Sequence, residues 1–156
     1  MITVIRMKRI AVVLSASTTK SELVHEAIAV LKDARIPFQI FVAENLSELS
    51  EPEFDGLVFP GDTPTMPEAA RSIRQFHKAS KPIACIGLAT HIVADALTSE
   101  TLTIAGEKEN KVGEIYFETC AADDFITDRE HKIISTAPQP TEQGVQLALA
   151  ELIEMA

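Results

Sequence analysis

Cys85, Gly87 and His91 share one short stretch, Lys81-Pro-Ile-Ala-Cys-Ile-Gly-Leu-Ala-Thr-His-Ile-Val-Ala-Asp-Ala96. Its pattern predicts a buried strand, a sharp turn at Gly87 and a helix. In several hydrolase-like folds such a turn carries a nucleophile, because it lifts one side chain off the end of the sheet. Here the turn residue is glycine. The central residue of an elbow sits in a backbone region that costs a side chain with a Cβ about 1–3 kcal/mol. Glycine avoids that cost. The scaffold of an active site is present and its central atom is missing.

The neighbouring groups have plainer readings. Cys85 precedes Gly87 by two residues, and strand residues so spaced share a face. Its thiol is expected to point the way Gly87 faces, but deeper in the sheet, as a small hydrophobe with a raised pKa. Cys120 stands near acidic residues, which disfavour a thiolate. Glu22, Glu26, His25 and His91 could form an acid–base set around the elbow. Glu22 also has capping-box spacing from Thr19, and both histidines suit a helix surface. His77 and His131 are spaced like surface residues. The histidines and cysteines lack zinc spacing, and no glycine-rich nucleotide motif occurs. No metal and no cofactor are expected.

The flanking pattern supplies the elements that must hold these groups. Arg9–Ser15 is a continuous apolar run, as in a strand buried on both faces. A helix follows to about Arg35, with Val24, Ala27, Ile28 and Leu31 as its stripe. Pro37–Ala43 and Phe54–Pro60 read as strands, separated by the acidic connection Glu44–Glu53. Thr65 and Glu68 suggest a second capping box, with Pro67 in the first turn and a helix to about Ala79. Ile83–Ile86 is the strand before the elbow. Thr101–Ala105, Ile115–Cys120, Asp124–Thr127 and Lys132–Thr136 are short strands, and Glu107–Gly113 is a charged turn. Val145, Leu149, Leu152 and Ile153 mark a last helix. Strands alternating with helices predict a parallel sheet covered on both faces.

The 156 residues fit one domain spanning 1–156. A net charge of −9 argues against nucleic acid and anionic membranes, which both need clustered cations. No apolar run approaches the ~20 residues of a membrane span. The N-terminus lacks the pattern of a signal peptide, so a cytoplasmic location is expected. Met7 is an alternative to Met1 as the start.

Taken in order, KRIAVVLS, ELVHEA, DGLVFPG, KPIACIG and above all DDFITDREHKIISTAP resemble the PfpI-like superfamily, from Lys8 to about Glu154. The likeness is greatest to its isoprenoid-biosynthesis branch with an amidotransferase-like domain (the ElbB group). The resemblance implies an α/β, flavodoxin-like three-layer sandwich, as in class I glutamine amidotransferases. It implies a mostly parallel sheet with a short antiparallel annex, and a homodimer. It also implies a reactive cysteine where Gly87 stands, and a first-helix glutamate touching that cysteine, with Glu22 and Glu26 as candidates. Backbone donors after a Pro-Gly-Gly segment would help form an oxyanion hole; here the segment is Pro60-Gly61-Asp62. These departures fall on one site and argue against the family's thiol-dependent chemistry.

The sequence therefore predicts a degenerate PfpI-like protein, a non-catalytic small-ligand-binding or assembly module. The alternative is a small-molecule hydrolase or lyase, glyoxalase- or deglycase-like, using Cys85, His91 or Glu26 in place of the missing nucleophile. An amidotransferase-type partner subunit is a third reading. Ligands of such sheets bind beyond the C-terminal strand ends. Ser15, Gly61, Asp62, Gly87, Leu88, Ala89, Thr90 and Thr136 are expected to line that crevice, with Ala16, Ser17, Thr63 and Pro138 beside them. The helix beginning near Leu88 should offer N–H groups there to a small anion or carboxylate.

Overall fold

The computed structural model describes residues 7–15, 22–61 and 65–156. Six strands form the main sheet: β1 (Ile10–Val13), β2 (Phe38–Phe41), β3 (Gly56–Gly61), β4 (Ile83–Gly87), β8 (Phe125–Asp128) and β9 (Ile133–Thr136). Their order is β2-β1-β3-β4-β9-β8. All neighbours run parallel except β8, which pairs antiparallel with β9. The central strands are apolar throughout because both their faces are covered.

Alternation along the strands sorts the core into two layers. Ile10, Val12, Val58, Ala84, Ile86 and Ile134 face helices α1 (Glu22–Asp33) and α4 (Glu142–Met155). Ala11, Val13, Leu57, Phe59, Cys85 and Ile133 face α2 (Ala70–Lys78) and α3 (Thr90–Ala96). Val24, Ala27 and Leu31 of α1 are buried, as are Val145, Leu149 and Leu152 of α4, so the predicted stripes are those that pack. Gly144 in the first turn of α4 allows a close approach: a Cβ there would collide with the Ala122 carbonyl oxygen. That oxygen accepts the Thr141 N–H at 2.8 Å and fixes where the helix begins.

The α/β three-layer architecture is the expected one; several details differ. The annex is a separate mixed sheet of β5 (Leu102–Ala105), β6 (Asn110–Val112) and β7 (Ile115–Glu118), in the order β5-β7-β6. The β6–β7 hairpin is antiparallel, but β5 and β7 run parallel because β6 returns outside β7. Part of the expected charged turn Glu107–Gly113 is thus strand β6, whose three residues are all exposed. The connection 44–53 contains two 3-10 turns, Ala43–Glu48 and Glu51–Glu53, and buries Leu46 and Leu49. Thr65 and Glu68 form no capping box. A 3-10 turn, Pro67–Ala69, leads into α2, and its cap Met66 has no side-chain hydrogen bond. Met66 is instead buried, so packing sets the entry to this helix. The capping box expected at Thr19 lies outside the described residues.

The annex docks on the main sheet through side chains. The Thr103 N–H donates to Asp128 Oδ2 at 2.9 Å, and the Ala105 N–H donates to Ser135 Oγ at 2.9 Å. Residues two apart on a strand present their N–H groups to one edge, so β8 and β9 satisfy that edge of β5 with hydroxyl and carboxylate oxygens.

Candidate functional site

The elbow is built by two adjacent parallel strands ending together, with Gly61 beside Gly87 in register. Gly87 has φ +74°, the left-handed conformation that favours glycine. Its N–H donates to Thr136 Oγ1 at 2.9 Å, and that hydroxyl donates to the Ala137 carbonyl at 3.1 Å. A Cβ on Gly87 would lie 2.8 Å from the Gly61 carbonyl oxygen and 2.8 Å from Leu23 Cδ1, with the Pro138 carbonyl oxygen at 3.4 Å. A side chain at Gly87 would meet these atoms first. On the layer facing α2 and α3, a void of about 10 Å³ is lined by Val13, Ser15, Phe59, Gly61, Met66 and Ile92. That is space for about one water.

Sequence reasoning missed Leu23. The α1 side chain that reaches Gly87 is neither Glu22 nor Glu26. Glu22 is exposed at the start of α1. Glu26 is partly buried, and its Oε2 has no hydrogen-bond partner among the described residues. Burial, then the charges of Glu142 and Glu22, hold its carboxyl above the usual range. A carboxyl pKa raised on folding means that the fold binds this proton more tightly than the unfolded chain does. This group's contribution to stability is therefore fully present at acid pH and is lost as pH rises through the folded value. Glu26→Gln removes that loss. We expect it to raise stability at neutral pH by less than about 1 kcal/mol and to narrow the gap between acid and neutral pH. Urea denaturation at both pH values checks this, and lower neutral-pH stability in the variant contradicts it.

The thiols are poorly placed for chemistry. Cys85 is wholly buried in the layer facing α2 and α3, and burial pushes its thiol far above the usual range. It does not share the direction of Gly87, because the left-handed elbow breaks the alternation of β4 and turns that position toward Leu23 of α1. Cys120 lies beyond β7; burial and the nearby Asp124 and Asp123 raise its thiol, against a lowering hydrogen bond from Ala137.

Thr90 and Ala89 are buried and Leu88 half-buried where α3 begins, while Asp62 lies outside the described residues. His25 is exposed. His91 is half-buried, with its ring 5.6 Å from that of Phe117 and tilted 33°. His91 and Phe117 border a hollow of about 460 Å³ between α3 and the annex.

His77 and His131 are not ordinary surface residues. Their rings stack at 5.7 Å and 25°, and each Nε2 faces a Glu100 oxygen, at 3.5 and 3.6 Å. Asp128 Oδ1 lies 3.0 Å from His131 Nδ1 and accepts the His131 N–H at 3.1 Å. Only the Asp-x-x-His spacing in Asp128-Arg-Glu-His131 hinted at this turn. Among the described residues, no group of three or more His, Cys, Asp or Glu is arranged to hold a metal ion, and no helix is long and apolar enough to cross a membrane.

No protein-family profile matches the sequence, and no curated protein matches it. Solved structures do. An isoprenoid biosynthesis protein with an amidotransferase-like domain from Ehrlichia chaffeensis superposes with a TM-score of 0.78 at 16% identity, over 95% of this chain and 99% of that one. A ThiJ/PfpI domain protein from Brachyspira murdochii gives 0.74 at 14% identity, over 96% of each chain. Drosophila melanogaster DJ-1beta gives 0.72 at 15% identity, over 97% of this chain and 91% of that one. The chain therefore has the flavodoxin-like α/β fold of the ThiJ/PfpI, DJ-1 and amidotransferase-like proteins.

Proposed function

We propose that this chain is a non-catalytic protein of PfpI-like architecture, a small-ligand-binding or assembly module that works without an elbow nucleophile. One observation carries the reading: Leu23 and the Gly61 carbonyl occupy the space that a side chain at Gly87 would need. A side chain carrying a hydroxyl or thiol there would have to displace Leu23 and strain against the Gly61 backbone. An apolar Leu23 offers nothing to activate a thiolate, which needs a base or a positive neighbour. The buried Cys85 is no substitute, since it is neither exposed nor easily ionised.

A homodimer fits this reading, and the architecture suggests it. Its interface would bury on the order of 1,600 Å² in total. Light scattering should give twice the 17.0 kDa chain mass at micromolar concentration. The same preparation should turn over methylglyoxal, p-nitrophenyl acetate and glutamine no faster than buffer. Turnover lost on Cys85→Ser or His91→Ala, with the fold intact, would favour the hydrolase or lyase reading, for which the open position of His91 beside the hollow is the best support.

A further inference from the structure

We infer that the hollow between α3 and the annex binds a small aromatic amine. This rests on the reading that ligand binding, if retained, no longer uses the elbow. The hollow measures about 460 Å³, inside the ~300–1,000 Å³ range of small-molecule sites. Its floor is apolar, with Ile115 4% and Phe117 7% exposed. Phe117 is held in place because its ring packs on the Gly106 backbone, where a Cβ would lie 3.0 Å from ring carbon. The His91 and Phe117 rings, 5.6 Å apart, both border the hollow, so a ligand ring seated there meets aromatic as well as aliphatic carbon.

Charge selects the ligand's other end. Asp95 on α3 and Glu107 on the annex set two carboxylates against the single ammonium of Lys108, on a chain of net charge −9. That balance attracts a cation at long range and within the site, and an ammonium near the rings gains a further cation–π attraction. A carboxylate meets the opposite field. An apolar ring joined by a short chain to an ammonium satisfies both the floor and the rim.

Titration of the full chain with 2-phenylethylamine at neutral pH, followed by NMR, tests this. His91, Asp95 and Phe117 resonances should shift saturably while Gly87 stays fixed. 3-Phenylpropionate, which keeps the ring and reverses the charge, should bind at least about threefold more weakly, and Asp95→Asn should weaken the amine about threefold. Val112→Trp, at an exposed position of β6 on the hollow's wall, should abolish binding without disturbing the fold. Absence of saturable shifts up to tens of millimolar amine overturns the proposal. So does equal binding of the carboxylate, or unimpaired binding to a folded Val112→Trp variant. None of these results touches the sealed elbow, which stands or falls on substitutions at Gly87 and Leu23.

Discussion

Gly87→Cys lowers the stability of the chain and produces no reactive thiol. At φ +74° a side chain strains the backbone by about 1–3 kcal/mol. Its Cβ also meets Gly61 O and Leu23 Cδ1 at 2.8 Å, and such overpacking adds about 1–3 kcal/mol. The melting temperature should fall by about 10 °C, at about 2–4 °C per kcal/mol for a chain of this size. The two obstacles differ in kind. Leu23 is a flexible side chain, so Leu23→Ala should relieve its share. Gly61 O is backbone at the paired strand end and cannot swing away. The double variant should therefore recover part of the loss and leave the φ strain and the carbonyl contact in place. A double-mutant cycle measures the coupling between Leu23→Ala and Gly87→Cys, expected at about 1 kcal/mol or more in favour of the smaller partner. The single variant should also label with iodoacetamide no faster than an ordinary thiol, because the atoms nearest its Cβ are two backbone carbonyl oxygens and the Leu23 methyl, none of them a base or a cation. A Gly87→Cys protein as stable as the parent, or one that labels rapidly, would sink the sealed-elbow reading.

Much of the frame behind this result was legible in the sequence. The apolar run Arg9–Ser15 contains β1, buried on both faces; the Val24, Ala27 and Leu31 stripe is the packed face of α1; and the strand before Gly87 ends in a tight turn into a helix. These signals are local and periodic. The partner of Gly87 was not legible, because it depends on where α1 begins relative to a strand end roughly sixty residues away in sequence. Glu22 and Glu26 drew attention as titratable groups, yet it is the neighbouring Leu23 whose side chain a Cβ at Gly87 would meet. Strand β6 was hidden for a similar reason. Asn110-Lys111-Val112 has little strand propensity of its own, and pairing with Phe117, Tyr116 and Ile115 imposes the conformation. The His77–His131 stack joins α2 to the β8–β9 turn, and no spacing rule connects them.

Beside the apolar packing of Leu102, Ile104, Ile115 and Phe117, two side-chain hydrogen bonds hold the annex, and removing them should have the second-largest effect. Ser135 is wholly buried, and its hydroxyl is the acceptor for the Ala105 N–H. Ser135→Ala leaves that buried N–H unsatisfied, at a cost of about 1–3 kcal/mol. Asp128 carries more. One carboxylate oxygen accepts from Thr103, and the other accepts the His131 N–H and faces the His131 ring. Asp128→Ala should cost about 2–4 kcal/mol, since hydrogen bonds to charged acceptors are worth more than neutral ones. Asp128→Asn keeps one acceptor oxygen and should cost less than the alanine variant. Both residues hold the same edge of β5, so losing either loosens the strand for the other. The double alanine variant should therefore lose less than the sum of the single losses. Amide exchange locates the effect: Thr103 and Ala105 should exchange faster in each alanine variant, while Val12 and Val58 in the central strands keep their protection. Unchanged exchange at Thr103 and Ala105 would mean that the apolar contacts of Leu102 and Ile104 alone hold the annex, and that the side-chain bridges add nothing.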